Sequence, residues 1–378
     1  MGSRAAALSI TPVTVLRDAL PLTAGIGTLL LFYLHGDSWL ATLTDPLVVL
    51  ALFVWVFSVM LWASFGVARH ADALAELLGE PYGTLILTFA VIVIEVAMIA
   101  AVMLTGDAAP TLARDTMLAV LMIVLNGLIG GAMLIGGLVH REQEYNLAGA
   151  RAFISVLVPL AVLSLILPVF TVSTDAPTFT PGQALFFALL TALLYAVFLA
   201  IQTGRHKVFF MQVGDSVSAL SDPTTGSTRA NIYHAVLLVL TLVPIVLLSG
   251  KMAALVDFGT SEIGAPTALG GIIVASLVLT PEGIAALKAA HANHLQRSVN
   301  LLLGTALSTI GLTVPAVLAI GLVTGEAVIL GVDEVQMVLL ILTLLLSAIT
   351  FGGGRTNLLQ GAVHLVIFFA YLVLVFSP

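Results

Sequence analysis

The feature of this sequence that most constrains its fold is a succession of long apolar stretches separated by short polar segments. Apolar residues make up 60% of the 378 residues, and charged residues only 9%. A soluble domain carries charge on about a quarter of its residues, so this chain lacks the charge to cover a surface that faces water on all sides. The sequence therefore predicts an all-α integral membrane protein, because lipid offers a spanning backbone no hydrogen-bond partners.

A helix that crosses a bilayer needs about 20 mostly apolar residues. Eleven segments qualify, of which the first and the tenth are short. No small-residue cleavage pattern follows the first segment, so we expect it to be retained as a span. The predicted spans are residues 19–34, 46–68, 82–104, 116–139, 152–172, 182–202, 231–249, 267–288, 298–322, 335–350 and 358–376.

The basic residues predict how these spans are oriented. With the N-terminus in the cytoplasm and the sides alternating over eleven spans, 11 of the 13 Lys and Arg residues lie inside, and only Arg114 and Lys251 lie outside. Loops rich in Lys and Arg remain cytoplasmic. We therefore expect a multi-pass protein of the bacterial inner membrane, with a cytoplasmic N-terminus and a periplasmic C-terminus.

The longest polar interruption, from Thr203 to Ala230, separates spans two to six from spans seven to eleven. Because five is odd, the two halves have opposite orientations, as in the inverted repeats of secondary transporters. The predicted organisation is an extra N-terminal helix (1–40), a first five-helix repeat (41–202), a cytoplasmic linker (203–230) and a second five-helix repeat (231–378).

Two local similarities support the repeat. A glycine lies twelve residues before a glutamate in each half, as Gly83 and Glu95 and as Gly270 and Glu282. The segment 146–150 is echoed by the segment 357–362, with one residue inserted. We interpret both similarities as marking corresponding places in the two halves.

Glu95 and Glu282 are the residues that carry chemistry. The other eighteen of the 20 Asp and Glu residues lie in loops, tails or span ends, and no Lys or Arg lies within a predicted span to pair with the two glutamates. A carboxylate in the bilayer costs about 2.5–3.5 kcal/mol even on the lenient insertion scale. We predict that the pair binds a metal cation and protons. The alternative is a protonated glutamate hydrogen-bonded between helices.

Neutral oxygen ligands surround both glutamates in the sequence. The predicted supporting shell is Thr88, Asn126, Ser276, Thr280, Ser308 and Thr309. Carboxylate, amide and hydroxyl oxygens suit a hard cation such as Ca²⁺ or Na⁺. The alternative for the hydroxyl groups, and for the glycines near them, is plain helix packing. Glu80 is a candidate entrance residue, or a solvated carboxylate at a helix end.

Other classes of function are disfavoured. The net charge of −7 provides no basic field for nucleic acid, and the chain has no cysteine. No hydrolase, Walker or zinc-protease motif is present, so we do not predict an enzyme. The loop pair His291 and His294 lacks a nearby third ligand. The expected partners are the lipid bilayer, the transported cation and protons, with no cofactor, and a homo-oligomer is compatible with the sequence.

Several segments resemble the ChaA-type calcium/proton antiporters of the calcium/cation exchanger superfamily. They are residues 79–88 with Glu95, residues 281–283 with 293–297, and residues 354–357 with 361–365. The resemblance implies two inverted five-helix halves, an extra N-terminal helix, and ion binding by Glu95 and Glu282. It also implies exchange of Ca²⁺ for protons by alternating access. The alternatives are a Na⁺ or K⁺/proton antiporter that uses the same site, and a passive cation channel.

Overall fold

The computed structural model describes residues 12–41, 45–78, 82–104, 110–212, 228–266 and 268–377. Over these residues the chain forms eleven long helices, a 3-10 turn at Lys207–Phe210 and one pair of short strands. Helices α4, α5 and α9 each contain an internal π-helical segment, and a π-helical turn follows α6. The helices are α1 (Pro12–Ala41), α2 (Pro46–Leu78), α3 (Tyr82–Leu104), α4 (Leu112–His140), α5 (Leu147–Phe170), α6 (Pro181–Ala200), α7 (Thr228–Glu262), α8 (Ala268–His291), α9 (Leu295–Thr324), α10 (Glu334–Thr350) and α11 (Leu358–Phe376).

Each predicted span coincides with one of these helices, and the all-α fold is confirmed. In the described residues, nine helices are long and apolar enough to cross a membrane, and α3 and α10 contribute shorter apolar segments. The tenth span is short, as expected, at 17 residues. The first was wrongly expected to be short, since α1 has 30 residues.

Several helices extend beyond the predicted spans, and two of the carboxylates at the span ends have a positively charged partner. Asp18 of α1 lies 2.7 Å from Arg69 of α2, and Asp115 of α4 lies 2.8 Å from Arg114. Both carboxylates are buried within helices. Asp115, the fourth residue of α4, lies at a span end as expected, whereas Asp18 lies inside α1 and not at its end, so the expectation was wrong for Asp18.

Side-chain caps fix the starts of several helices. A capping box, in which the cap side chain and the side chain three residues on each accept a backbone N–H, begins three of them. Its residue pairs are Thr180 and Gln183 for α6, Asp333 and Gln336 for α10, and Asn357 and Gln360 for α11. These polar residues interrupt the apolar pattern, so the starts of the three helices can be located from the sequence alone.

The similarity between segments 146–150 and 357–362 has a local cause. Asn146 caps α5, which is the fourth helix of the predicted first repeat, whereas Asn357 caps α11, the fifth helix of the predicted second repeat. The two segments are therefore not at corresponding places, and the interpretation as a repeat signal was wrong. Both carry asparagine because its side-chain oxygen accepts the N–H groups of a first helical turn.

Two short strands lie beside those asparagines and pair with each other. Strand β1 (Glu142–Glu144) runs antiparallel to β2 (Arg355–Asn357), and Arg355 lies 2.5 Å from Glu144. The Tyr145 hydroxyl lies within hydrogen-bond distance of the carbonyls of Thr350 and Gly353 and can donate its single proton to either. Burial raises the pKa of Tyr145 to about 12, so its proton remains available for this contact at neutral pH.

The helices group into two compact units. Unit 1 comprises residues 1–106 and 216–265, with α1, α2, α3 and α7; unit 2 comprises residues 107–215 and 266–378, with the other helices. Each unit draws helices from both predicted halves of the chain. The division into repeats is a statement about chain order and stays a prediction.

Close helix packing in unit 2 depends on glycine. A Cβ on Gly283 of α8 would lie 2.8 Å from the Leu128 side chain of α4, and a Cβ on Gly361 of α11 would lie 2.7 Å from the carbonyl of Gly130. Small residues let helix backbones approach closely in membranes. The small-residue clusters of the sequence therefore bring α4 against α8 and α11.

Candidate functional site

Glu282 lies in the middle of α8 and is 4% exposed. The hydroxyl of Thr305, in the neighbouring helix α9, lies 2.5 Å from one of its carboxylate oxygens. This distance is typical of a hydroxyl that donates to an ionised carboxylate. The structure therefore provides an ionised Glu282 with a strong hydrogen-bond donor in a buried position.

The Thr305 hydroxyl has a second oxygen neighbour. It also lies 3.0 Å from the carbonyl of Leu301, one turn earlier in α9. A hydroxyl has a single proton to donate. It can donate to Glu282 when that carboxylate is ionised, and to Leu301 when a protonated Glu282 donates to it. Thr305 can thus serve both protonation states of Glu282 with a small rotation.

Thr305 is not among the residues predicted from the sequence. The predicted residue Ser308 is close to it, since the Ser308 hydroxyl donates to the Thr305 carbonyl at 3.0 Å. Thr309 begins the π-helical segment Thr309–Thr313 and is buried. π-Helical segments are often found at functional sites. A signal was present: Thr305, Ser308 and Thr309 all occur within five residues.

Ser276 and Thr280 lie in α8, the same helix as Glu282, and their role in the site stays a prediction. On a regular helix they lie about 240° and 200° round the axis from Glu282. The Thr280 hydroxyl donates to the Ser276 carbonyl at 2.6 Å, and both residues are half-buried. The described contact therefore bonds the Thr280 hydroxyl to the backbone of its own helix.

Asn126 belongs to a buried polar network that joins α4, α10 and α11. Its Nδ2 donates to the Thr343 hydroxyl at 2.8 Å, and its Oδ1 lies 3.3 Å from Nδ1 of His364. The other ring nitrogen of His364 lies 3.0 Å from the Thr350 hydroxyl. Because the amide oxygen only accepts, His364 donates through Nδ1 and accepts through Nε2.

This network was not predicted beyond Asn126. Asn126 lies in the π-helical segment Ile123–Leu128 of α4, so the third helix of each predicted half carries a π-helical segment with buried polar residues. Helix α8 packs against this segment of α4. The network therefore stiffens the helix that flanks the Glu282 helix in unit 2.

Glu95 lies in α3, in unit 1, and is 1% exposed. Thr88 precedes it by seven residues, which places the two within about 20° of each other round the helix. Thr88 is half-buried. Helix α7 packs against α3, and the Ser249 hydroxyl lies 3.4 Å from the Ala97 carbonyl. The predicted entrance residue Glu80 lies outside the described residues.

Comparison with known proteins agrees with this architecture. The sequence profile described as "Sodium/calcium exchanger protein" matches residues 48–204 and 230–377. The chain is 41% identical over 341 residues to the "Sodium-potassium/proton antiporter ChaA" of Escherichia coli (strain K12), covering 90% of this chain and 92% of that protein.

Two solved structures share the fold. The structure of native YfkE superposes with a TM-score of 0.70 at 17% identity, covering 96% of this chain and 100% of that chain. The structure of the H⁺/Ca²⁺ exchanger CAX gives a TM-score of 0.66 at 17% identity, covering 94% of this chain and 88% of that chain. These likenesses establish the fold of this chain as that of the exchangers.

The described residues form eleven long, mainly apolar helices, with a buried glutamate in α3 and another in α8. Together with the matches to exchangers and antiporters, this architecture defines a multi-pass membrane transporter and not an enzyme. On the extent of the profile match and the 41% identity, the chain belongs to the sodium/calcium exchanger protein family. The resemblance seen in the sequence is confirmed at the level of the family.

Proposed function

We propose that this protein is a cation/proton antiporter that binds the cation and protons in alternation at Glu95 and Glu282. The observation that carries the proposal is the burial of Glu282 within a membrane helix, with the Thr305 hydroxyl 2.5 Å from its carboxylate. The burial of Glu95 at the position predicted to be equivalent supports it. Membership of an exchanger family supports the same reading.

Competition for the carboxylate oxygens would couple the two fluxes. Burial in a low-dielectric site disfavours the ionised form, whereas a bound cation favours it. A glutamate that holds a proton is neutral, and one that holds a cation is neutralised by it. An empty ionised site is the unfavourable state. Each change of access would therefore carry either cation or protons across the membrane, as alternating access requires.

Thr305 would keep the Glu282 site usable in both states. When the cation is bound, its hydroxyl donates to the ionised carboxylate; when the proton is bound, it donates to Leu301 instead. A hydrogen bond to a charged group contributes about 1.5–3 kcal/mol. The hydroxyl would thus stabilise the ionised form without leaving a buried donor unpaired in the protonated form.

We propose Ca²⁺ as the first candidate for the transported cation. Two carboxylates carry the charge that neutralises one divalent ion, and oxygen ligands suit Ca²⁺. Na⁺ or K⁺ is the second candidate, supported by the name of the 41% identical relative, a sodium-potassium/proton antiporter. Either cation would bind to the same two glutamates. We propose that the protein lies in the bacterial inner membrane.

The deciding experiment uses purified protein in lipid vesicles. A pH gradient is imposed while ionophores hold the membrane voltage at zero, and uptake of Ca²⁺, Na⁺ and K⁺ is recorded in turn. An antiporter moves its cation against that cation's own gradient when protons flow the other way. Cation flux that follows voltage and ignores the pH gradient would identify a passive channel and contradict the proposal.

A further inference from the structure

A second cluster of metal-binding side chains lies in unit 1, where α1, α2 and α7 meet. It consists of Asp18, His70 and His234, all buried, with relative exposures of 6%, 0% and 6%. One ligand atom from each residue lies within 4.8 Å of the others. We propose that these three residues form a binding site for a transition-metal dication of the Zn²⁺ class, which shares no residue with the transport site proposed above.

The ligand chemistry fits such an ion. Imidazole nitrogen and carboxylate oxygen are the usual protein ligands of Zn²⁺ and Co²⁺, and three of them leave a position for water. Imidazole nitrogen is a poor ligand for Ca²⁺ or Mg²⁺, which prefer oxygen. The cluster therefore favours a softer ion than the oxygen ligands predicted around Glu95 and Glu282 do.

The two imidazoles are already placed as a pair of ligands. Nδ1 of His70 lies 3.0 Å from Nδ1 of His234. Two nitrogens bound to one tetrahedral ion at the usual bond length are about 3.3 Å apart. A metal ion can thus replace the single proton that the two nitrogens share, with a shift of a few tenths of an ångström.

The histidine pair is a contact between two bases. The two facing Nδ1 atoms can share only one proton, and the His70 ring otherwise packs edge-on against Tyr233. Nε2 of His70, on the other side of the ring, is buried and has no hydrogen-bond partner among the described residues, so no hydrogen bond from the protein fixes the tautomer of His70 at that nitrogen. Two facing bases that share one proton form a better metal site than a structural hydrogen bond.

Asp18 is oriented by its own partners. Arg69 lies 2.7 Å from Oδ1, and the Tyr233 hydroxyl donates to Oδ2 at 3.2 Å. Such contacts fix a carboxylate for metal binding. Arg69 also supplies the positive charge that Asp18 needs when no metal is bound. Its side chain is 29% exposed, against 7% for Asp18, so it can turn to solvent when a dication takes over that charge.

The test starts with the full-length protein in detergent, in the Glu95→Gln/Glu282→Gln background, which silences the proposed transport site. Zn²⁺ is titrated by calorimetry. We expect one ion per chain and a higher unfolding temperature, because the ion ties α1 to α2 and α7. X-ray absorption of the Zn²⁺-loaded protein should show two imidazole ligands, a result that needs no further variant. Oxygen ligands alone would overturn the proposal.

Variants then assign the ligands. His70→Gln and His234→Gln should each lower the Zn²⁺ affinity at least tenfold, since even the loss of an outer partner of a metal ligand costs about 10–100-fold. Arg69→Gln should raise the affinity, because it leaves the Asp18 carboxylate without a competing cation. The matched control is His291→Gln/His294→Gln, the other close histidine pair of the chain, which should bind Zn²⁺ as before. Unchanged affinity in both ligand variants, or loss of binding in the control, would refute the site.

Discussion

At the scale of the residue, the proposed mechanism depends on whether Glu95 and Glu282 can ionise. We expect Glu95→Gln and Glu282→Gln each to abolish exchange while the protein still inserts and folds, because an amide keeps the volume of the side chain but can neither bind a proton nor neutralise a cation. Exchange in vesicles and monodisperse elution of the purified variants are the two measurements. The contrast is Glu80→Gln, which should leave measurable exchange, and wild-type exchange by either single variant would defeat the proposed site.

Thr305 offers a finer test at the same scale. Thr305→Val keeps the shape of the side chain but removes the hydroxyl that lies 2.5 Å from Glu282. The ionised carboxylate then loses a hydrogen bond of about 1.5–3 kcal/mol, so apparent cation affinity should fall about tenfold or more, and half-maximal exchange should move to higher pH. Thr305→Ser retains the hydroxyl and is the matched control. Equal affinities in the valine and serine variants would show that the hydroxyl does not act on Glu282.

At the scale of the element, the contact of α11 with α4 depends on Gly361. A Cβ there would lie 2.5 Å from the backbone nitrogen of Leu134 and 2.7 Å from the carbonyl of Gly130, and neither backbone atom can move aside. We expect Gly361→Ala to destabilise the protein by about 1–3 kcal/mol, the usual effect of overpacking. Heating in detergent, followed by size-exclusion chromatography, measures it.

Gly182→Ala is the control for this prediction. Gly182 is also helical, in α6, but a Cβ at its position would meet no atom within 4 Å. Removing a glycine from a helix without a clash should leave stability unchanged or raise it slightly. If both alanine variants lose the same stability, the loss does not come from the α4–α11 contact.

At the scale of the whole molecule, the orientation in the membrane is a prediction from charge alone. A reporter fused within residues 203–230 should read cytoplasmic, and one fused after Pro378 should read periplasmic, because eleven spans place the two chain ends on opposite sides. Paired activity reporters, such as alkaline phosphatase and a fluorescent protein, provide the readout. Both chain ends on the same side would contradict the eleven-span arrangement.

The coupling of the two fluxes is also a property of the whole molecule. If the cation and protons share Glu95 and Glu282, apparent cation affinity should rise with pH, by about a hundredfold per pH unit where binding displaces two protons and about tenfold where it displaces one. Calorimetry in buffers of different ionisation enthalpy counts the protons released. Affinity that stays flat between about pH 6 and 9, without proton release, would rule out direct competition.

What the sequence determined follows from short-range physics. Apolar runs of membrane length must form helices wherever they occur. Local polar residues such as Thr180, Asp333 and Asn357 come directly before such runs and cap the first turn of each helix. A carboxylate amid apolar residues is conspicuous without any structure, so Glu95 and Glu282 were identified and both proved buried. The family was recognisable from the segments around them.

Only the tertiary structure decided which side chains meet across helices. Thr305 reaches Glu282 from α9, and His234 reaches His70 from α7, although 23 and 164 residues separate them in the chain. Many helix packings satisfy the same apolar pattern, and contacts such as that of Gly361 with Gly130 select one of them. The same selection turned Asp18 from a residue at a span end into a buried partner of Arg69. Its burial needs a positive charge from another helix, and sequence spacing cannot specify that.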